Sequence, residues 1–190
     1  MPGYARFDPA RGVVLTLLLM VGGCFQQDAT GRFEISRLQA QWAAGRMEIS
    51  CDQRLELSAE ARDALRHGVP LTIEVELILR NLASRTRVGG LTRRYEVRYL
   101  PLSEHYQVNG IGAHKVTTFP RLRHALAELS RLEFSFEVGT LPAGDYEVLA
   151  RSRMDHGDMP PPMRLPALFD PAWKHASSWT SWPMTVGPEA

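Results

Sequence analysis

From Leu71 to Leu79 every second residue is apolar. Leu71, Ile73, Val75, Leu77 and Leu79 share one face of an extended chain, while Thr72, Glu74, Glu76 and Arg80 fall mainly on the other. The alternation predicts a half-buried β-strand over residues 71–82, Ile73, Val75 and Leu77 inward and Glu74 and Glu76 outward. At about 3.3 Å per residue it spans roughly 30 Å, enough to cross a small domain and pair on both sides. Residues 91–100 repeat the pattern, with Tyr95, Val97 and Tyr99 against Glu96 and Arg98. They predict the returning strand after a loop at 83–90 that ends in Gly89-Gly90.

The same periodicity predicts strands at 32–42 and 46–55, joined by Ala43-Ala44-Gly45. Phe33 and Ile35, then Leu38, Ala40 and Trp42, change face once, which predicts a bulge near Ser36. Residues 104–108 form a short strand closed by Asn109-Gly110, a favoured hairpin pair. Residues 132–138 place Phe134, Phe136 and Val138 on one face. A turn at Leu141-Pro142-Ala143-Gly144-Asp145 then leads through Tyr146 into a strand ending near Met154. A tyrosine at that place is similar to the tyrosine corner of immunoglobulin-like sandwiches, where the phenol bonds a nearby backbone group.

Two segments change to helical spacing. Residues 58–67 have Ser58 to cap free amides, Glu60 in the first turn, Ala61, Ala64 and Leu65 on one stripe, and Gly68 at the stop. Residues 120–131 predict a longer helix, with Pro120 in its first turn and Leu122, Ala125, Leu126 and Leu129 on one side. Pro160-Pro161-Pro162 cannot supply ladder amides, and predicts an extended polyproline segment at an edge or over a surface. Seven or eight strands, one short helix and one longer connecting helix define a mainly β fold class, an antiparallel immunoglobulin-like β-sandwich.

At 190 residues, with 44% hydrophobic and 23% charged side chains, the chain fits one ordinary globular domain. Arg6 and Arg11 precede an apolar run at 13–21 that is too short to span a bilayer and is followed by Gly22-Gly23, the form of a secretory signal. Removing Arg6, Arg11 and Asp8 from 22 basic and 21 acidic residues leaves 20 of each. A neutral mature chain argues against nucleic acid as partner. Val21-Gly22-Gly23-Cys24 resembles the bacterial lipoprotein processing box, in which the cysteine is lipidated and becomes the first residue. Phe25 after it then implies the outer membrane. The alternative is simple cleavage near Gly23. The organisation expected is a signal peptide at 1–23, a linker at 24–31, a single domain at 32–186 ending in a Pro/Trp-rich strap, and a tail at 187–190. Cys51, on the apolar face of its strand, reads as a core residue; a disulfide with Cys24 is open unless Cys24 is lipidated.

Four groups of residues carry candidate chemistry. Arg80, Arg85, Arg87, Arg93, Arg94 and Arg98 form either an anion-binding patch or a solvated strand face. Asp155 and Asp158 are either paired carboxylates for proton transfer or Asx-bonding turn residues. Met154, His156, Met159 and Met163 are either a soft-metal site of the kind copper or zinc proteins use, with His156 and Met159 as ligands, or apolar fillers around a turn. Trp173, Trp179 and Trp182 either strap the core or line a groove for an extended peptide with Pro160 and Pro162. His67, His105, His114, His124 and His175 lack ligand spacing, and no nucleophile elbow, phosphate loop or dinucleotide fingerprint occurs in the sequence.

An Asp after a strand (Asp155), a proline-bracketed apolar residue followed by arginine (Pro162-Met163-Arg164), and the late tryptophans Trp179 and Trp182 resemble the bacterial domain of unknown function 4390 family. So do Gly68-Val69-Pro70-Leu71, the Arg98-Tyr99, Leu102-Ser103 and Tyr106 set, and Ala125-Leu126. The resemblance implies an exported bacterial protein. Since members are encoded beside a sensor histidine kinase of nitrogen-regulation type, it also implies an envelope or signalling role. The processing box is a departure from the ordinary cleavable signals of that family. The expectation is therefore a non-enzymatic binding or accessory module of the periplasm, without a cofactor. Its partner is a protein or peptide of the envelope, its membrane contact is a lipid anchor if Cys24 is modified, and Asp155, Pro160, Pro162, Arg164, Trp173, Trp179 and Trp182 are the candidate contacts. The rival expectation is a periplasmic metal-binding protein.

Overall fold

The computed structural model describes residues 31–187 except 113–115 and 158. The signal run, Cys24, Asp158 and the tail beyond Gly187 lie outside the described residues. Among the described residues, nine strands form two antiparallel sheets, one of three strands in the order β1-β2-β7 and one of six in the order β6-β5-β4-β3-β8-β9. The protein is mainly β, with helices confined to connections.

The three-stranded sheet begins as a hairpin of β1 (Arg32–Ala43) and β2 (Arg46–Glu56). Ala44 and Gly45, at φ of 50° and 77°, make the tight turn between them, the doubly left-handed form that matches strand twist. The expected bulge is present. Register slips between Ile35 and Arg37, and Ser36 donates its hydroxyl to the Asp52 carbonyl at 3.2 Å. The slip keeps Phe33, Ile35 and Leu38 all buried. β7 (Arg131–Glu137) completes the sheet against β2.

β3 (Leu71–Asn81) lies between β4 (Arg87–Leu100) and β8 (Gly144–Asp155) at the middle of the large sheet. Its apolar side, Leu71, Ile73, Val75, Leu77 and Leu79, is at most 1% exposed. The polar side departs from expectation: Glu74 is only 8% exposed and Thr72 2%, because the neighbouring strands carry arginines that lie over it. β4 also starts four residues earlier than the glycine pair implied. Gly89 and Gly90 lie within the strand, and the reason is close approach. A Cβ on Gly90 would stand 2.5 Å from the Leu77 carbonyl oxygen, and one on Gly89 would touch Phe136 and Val138.

β5 (His105–Ile111) and β6 (Val116–Phe119) extend the sheet beyond β4. Asn109-Gly110 is not a turn. Asn109 stands opposite both Glu96 and Val116, and Gly110 opposite Tyr95, so continuing the ladder to Ile111 keeps hydrogen bonds that a turn there would lose. On the opposite side β9 (Thr180–Val186) pairs with β8. Its Pro183 blunts an edge strand that has no further partner in the sheet.

α1 (Ala59–Arg66) matches its sequence signals: the Ser58 side chain accepts from the Ala61 amide, and Gly68 follows at φ 88°. α2 (Leu122–Glu128) is shorter than expected, seven residues against eight in α1, so the connecting helices do not divide into short and longer. Pro120 stays outside it, since Arg121 is extended at the cap. At its other end Arg131 is taken by β7, where it pairs with Asp52. The triple proline is not an extended segment either. Pro161 and Pro162 open α3 (Pro161–Phe169), where the first helical positions need no amide donor and the fixed proline φ suits the turn. A 3-10 turn (Pro171–Trp173) follows, capped by the Asp170 side chain.

One core joins these layers. β1 crosses β8 and β9, and α2 covers β5 and β6. Tyr146 donates to the Pro142 carbonyl at 2.8 Å, the bond anticipated for a tyrosine at that corner.

Candidate functional site

The outward face of the three-stranded sheet is built from three cross-strand rows. Strand register aligns Gln41, Glu48 and Ser135; then Gln39, Ser50 and Glu133; then Arg37, Asp52 and Arg131. Bulge, hairpin and β7 pairing together fix this grid, since alternation sends every second side chain of each strand outward. Neighbours in a row are about 4.8 Å apart and successive rows about 6.8 Å, the spacings of a sheet. Eight of the nine are exposed and Asp52 is half-buried.

Two cavities open along this grid. One, of about 650 Å³, lies over the first two rows and is bounded by Trp182. The other, of about 550 Å³, takes in the second and third rows and reaches Tyr95, Val108, Thr117 and the end of α2 at Leu129. Gln39, Ser50 and Glu133 line both, so they form one groove with an aromatic ring toward each end. Burial pushes the Tyr95 hydroxyl above its ordinary value, with Arg93 opposing and Cys51 adding. Tyr95 is therefore a neutral phenol at neutral pH.

The small sheet pairs Arg32 with Glu34 at 3.0 Å, Arg54 with Glu56 at 2.8 Å and Arg46 with Glu137 at 3.3 Å, and opposite charges are also matched on the outward face of the large sheet. Arg153 donates twice to Glu74 at 2.6 and 2.9 Å, Arg80 to Glu147 at 2.6 Å, and Arg94 to Asp155 at 2.6 Å. Arg98 reaches Glu96 at 3.0 Å and Arg151 reaches Glu76 at 3.7 Å. Arg80, Arg94 and Arg98 are thus spent on acids and make no anion patch. On the small sheet, Glu48 and Glu133 form no ion pair among the described residues.

The structure places the sequence-derived candidates in separate regions. Asp155 ends β8, with Oδ2 on Arg94 and Oδ1 accepting the Gly157 amide at 2.9 Å. Burial pushes its carboxyl up, but the Gly157 N–H, Arg94 and Arg153 outweigh that and hold it below its ordinary 3.8. Pro160 and Pro162 are exposed around the start of α3, and Arg164 donates to the Met159 carbonyl at 2.7 Å. Trp173 is 8% exposed and serves the core. Trp179 lies under the Arg151 guanidinium, 4.8 Å from its ring centre. Trp182 alone of the three reaches the groove. Met154 and Met159 are buried, and the His156 ring Nε2 is 2.9 Å from the Trp173 carbonyl oxygen. Met163 belongs to α3, and its side chain lies outside what is described. Among the described residues, no three His, Cys, Asp or Glu side chains are grouped to hold a metal ion. Cys51 is a free thiol at 0% exposure, which burial and then Asp52 push up to about 11.

The groove residues on β1, β2 and β7 were absent from the sequence-derived site. Each strand shows its polar face in the sequence. What assembles the grid is the pairing of β2 with β7, some eighty residues apart, and no local pattern encodes it.

Two antiparallel sheets carrying an open polar groove define a mainly β protein. The chain belongs to the family called domain of unknown function (DUF4390), whose model matches residues 30–183. No curated protein and no solved structure matches it.

Proposed function

We propose that this protein is a non-enzymatic binding module of the bacterial cell envelope, exported by its amino-terminal segment, whose groove holds an extended, net-basic protein or peptide segment. One observation carries the reading: the first two rows of the grid set amides, hydroxyls and carboxylates beside Trp182, and their Glu48 and Glu133 lack an ionic partner among the described residues. Hydrogen-bonding groups at strand spacing suit a backbone laid across them, the carboxylates favour lysine or arginine on it, and the tryptophan supplies an apolar or cation-binding wall. The family resemblance to proteins encoded beside a sensor kinase supports a role as accessory to a membrane sensor. We read the two sheets as a β-sandwich of immunoglobulin-like kind; the Tyr146 to Pro142 bond supports this.

The test is a photo-crosslinking amino acid placed at Ser135 and, separately, at Asp63 on α1, in cells that export the protein. A discrete adduct from position 135, absent from position 63 and lost when Glu48 and Glu133 are changed to lysine, supports the reading. Equal labelling from both positions, or none from 135, overturns it.

A further inference from the structure

Among the described residues, the three large apolar side chains with the greatest exposure are Leu102 at 106%, Phe169 at 78% and Leu165 at 68%. Leu102 is some sixty residues from the other two in sequence, yet the topology brings all three to one end of the large sheet. β3 begins there: Leu71 pairs with Val97 near the end of β4, and Thr72 pairs with Asp155 at the end of β8. Leu102 tips the hairpin that continues from β4 into β5, and α3 follows β8 directly. In α3, Pro161, Leu165 and Phe169 recur every fourth residue and are all exposed, while Ala167, on another side, is buried. A nine-residue helix thus turns an apolar stripe away from the core.

The chain also enters at this end. Gly31 lies so close to His175 that a Cβ would fall 1.7 Å from the ring Nε2, and His175 stands just after the 3-10 turn that packs on α3. Six peptide units from His175 reach Phe169, at most about 22 Å. Seven units from Gly31 reach Cys24, at most about 25 Å. The apolar run at 13–21 lies immediately before that cysteine. Whatever holds the amino-terminal segment at a bilayer therefore keeps this end of the molecule within reach of it.

We propose that α3 and the Leu102 hairpin tip form a membrane-docking face, with Leu165 and Phe169 inserted at the headgroup and acyl boundary of the bilayer that carries the amino terminus. The occupant is a lipid surface because the covalent tether limits how far this face can move from one, and because short amphipathic helices bind interfaces by burying such stripes. The inference rests on the envelope reading for the tether, and on the groove for nothing. Docking fixes orientation: α3 faces lipid, and the groove is left facing the aqueous phase beside the membrane.

The experiment uses the full chain reconstituted into vesicles of phosphatidylethanolamine and phosphatidylglycerol. Benzoylphenylalanine replaces Phe169, Leu102 or, as control, Leu82, which is 41% exposed at the opposite end of β3. After irradiation, intact-mass spectrometry should show phospholipid adducts at positions 169 and 102 about tenfold above position 82, and Leu165→Ser should lower the adduct at 169. Vesicle flotation without these adducts overturns docking while leaving the tether intact. Failure to float removes both tether and docking. A doubled-mass adduct at 169 in place of lipid overturns the proposal in favour of a second copy of this chain. None of these outcomes bears on the Ser135 crosslink.

Discussion

At the scale of single residues, His175 shows how a side chain without a motif becomes structural. It is 1% exposed, its Nε2 accepts the Ser58 amide at 2.9 Å, and its ring meets Phe33 at 5.3 Å. It therefore ties the carboxyl-terminal segment to the cap of α1 and to the first strand. Burial, chiefly, lowers its affinity for a proton below the ordinary 6.5, the Trp173 carbonyl and Glu60 opposing and His156 adding. The folded state thus prefers the neutral ring, while the unfolded chain takes up a proton as pH falls through 6.5. Stability from this residue is complete above that value and declines below it. Thermal melts between pH 7 and about 5 should show a falling Tm, and His175→Gln should flatten the slope; an unchanged slope in the variant would remove His175 as its cause. His175 stood in the sequence as one of several scattered histidines, because its two partners, Phe33 and Ser58, come from more than a hundred residues away.

Among the elements, β3 decides most, and its polar side is where alternation alone misjudges. Glu74 was legible as a polar position but not as a buried one. A central strand is covered on both flanks, and the Arg153 guanidinium completes the cover while satisfying the carboxylate. Removing Arg153 leaves a nearly buried charge without its partner. Arg153→Ala should cost about 1–2 kcal/mol in denaturant unfolding, reduced from the fully buried case because the arginine is itself 45% exposed. Arg98→Ala, which breaks a more exposed bridge to Glu96, should cost no more than about 0.5 kcal/mol. Equal losses from the two would mean that burial of Glu74 does not set the strength of its pair. α3 teaches the converse. Three successive prolines exclude a strand interior, yet they start a helix as readily as they extend a coil, and only the residues they meet afterwards determine which.

For the whole molecule, the groove and the exposed α3 stripe lie on different surfaces, and the proposed anchoring of the amino-terminal segment would relate both to a membrane. No described helix is long and apolar enough to cross a bilayer. The expected product in a native membrane fraction is a chain lacking residues 1–23 with diacylglycerol on Cys24, readable by intact-mass spectrometry. An unprocessed chain beginning at Met1 in the soluble cytosolic fraction would end the envelope assignment.

The sequence by itself determined the strands whose one face is apolar, the bulge at Ser36, the cap and stop of α1, the tyrosine bond at Pro142 and the family. Each is written within a dozen residues, where side-chain period and backbone preference act directly. Tertiary structure alone decided that Asn109-Gly110 and Gly89-Gly90 run inside strands, that Glu74 is buried, and that polar positions of β1, β2 and β7 form one groove. Those outcomes depend on which strand lies beside which, and pairing is selected by the burial of the whole core rather than by any one segment.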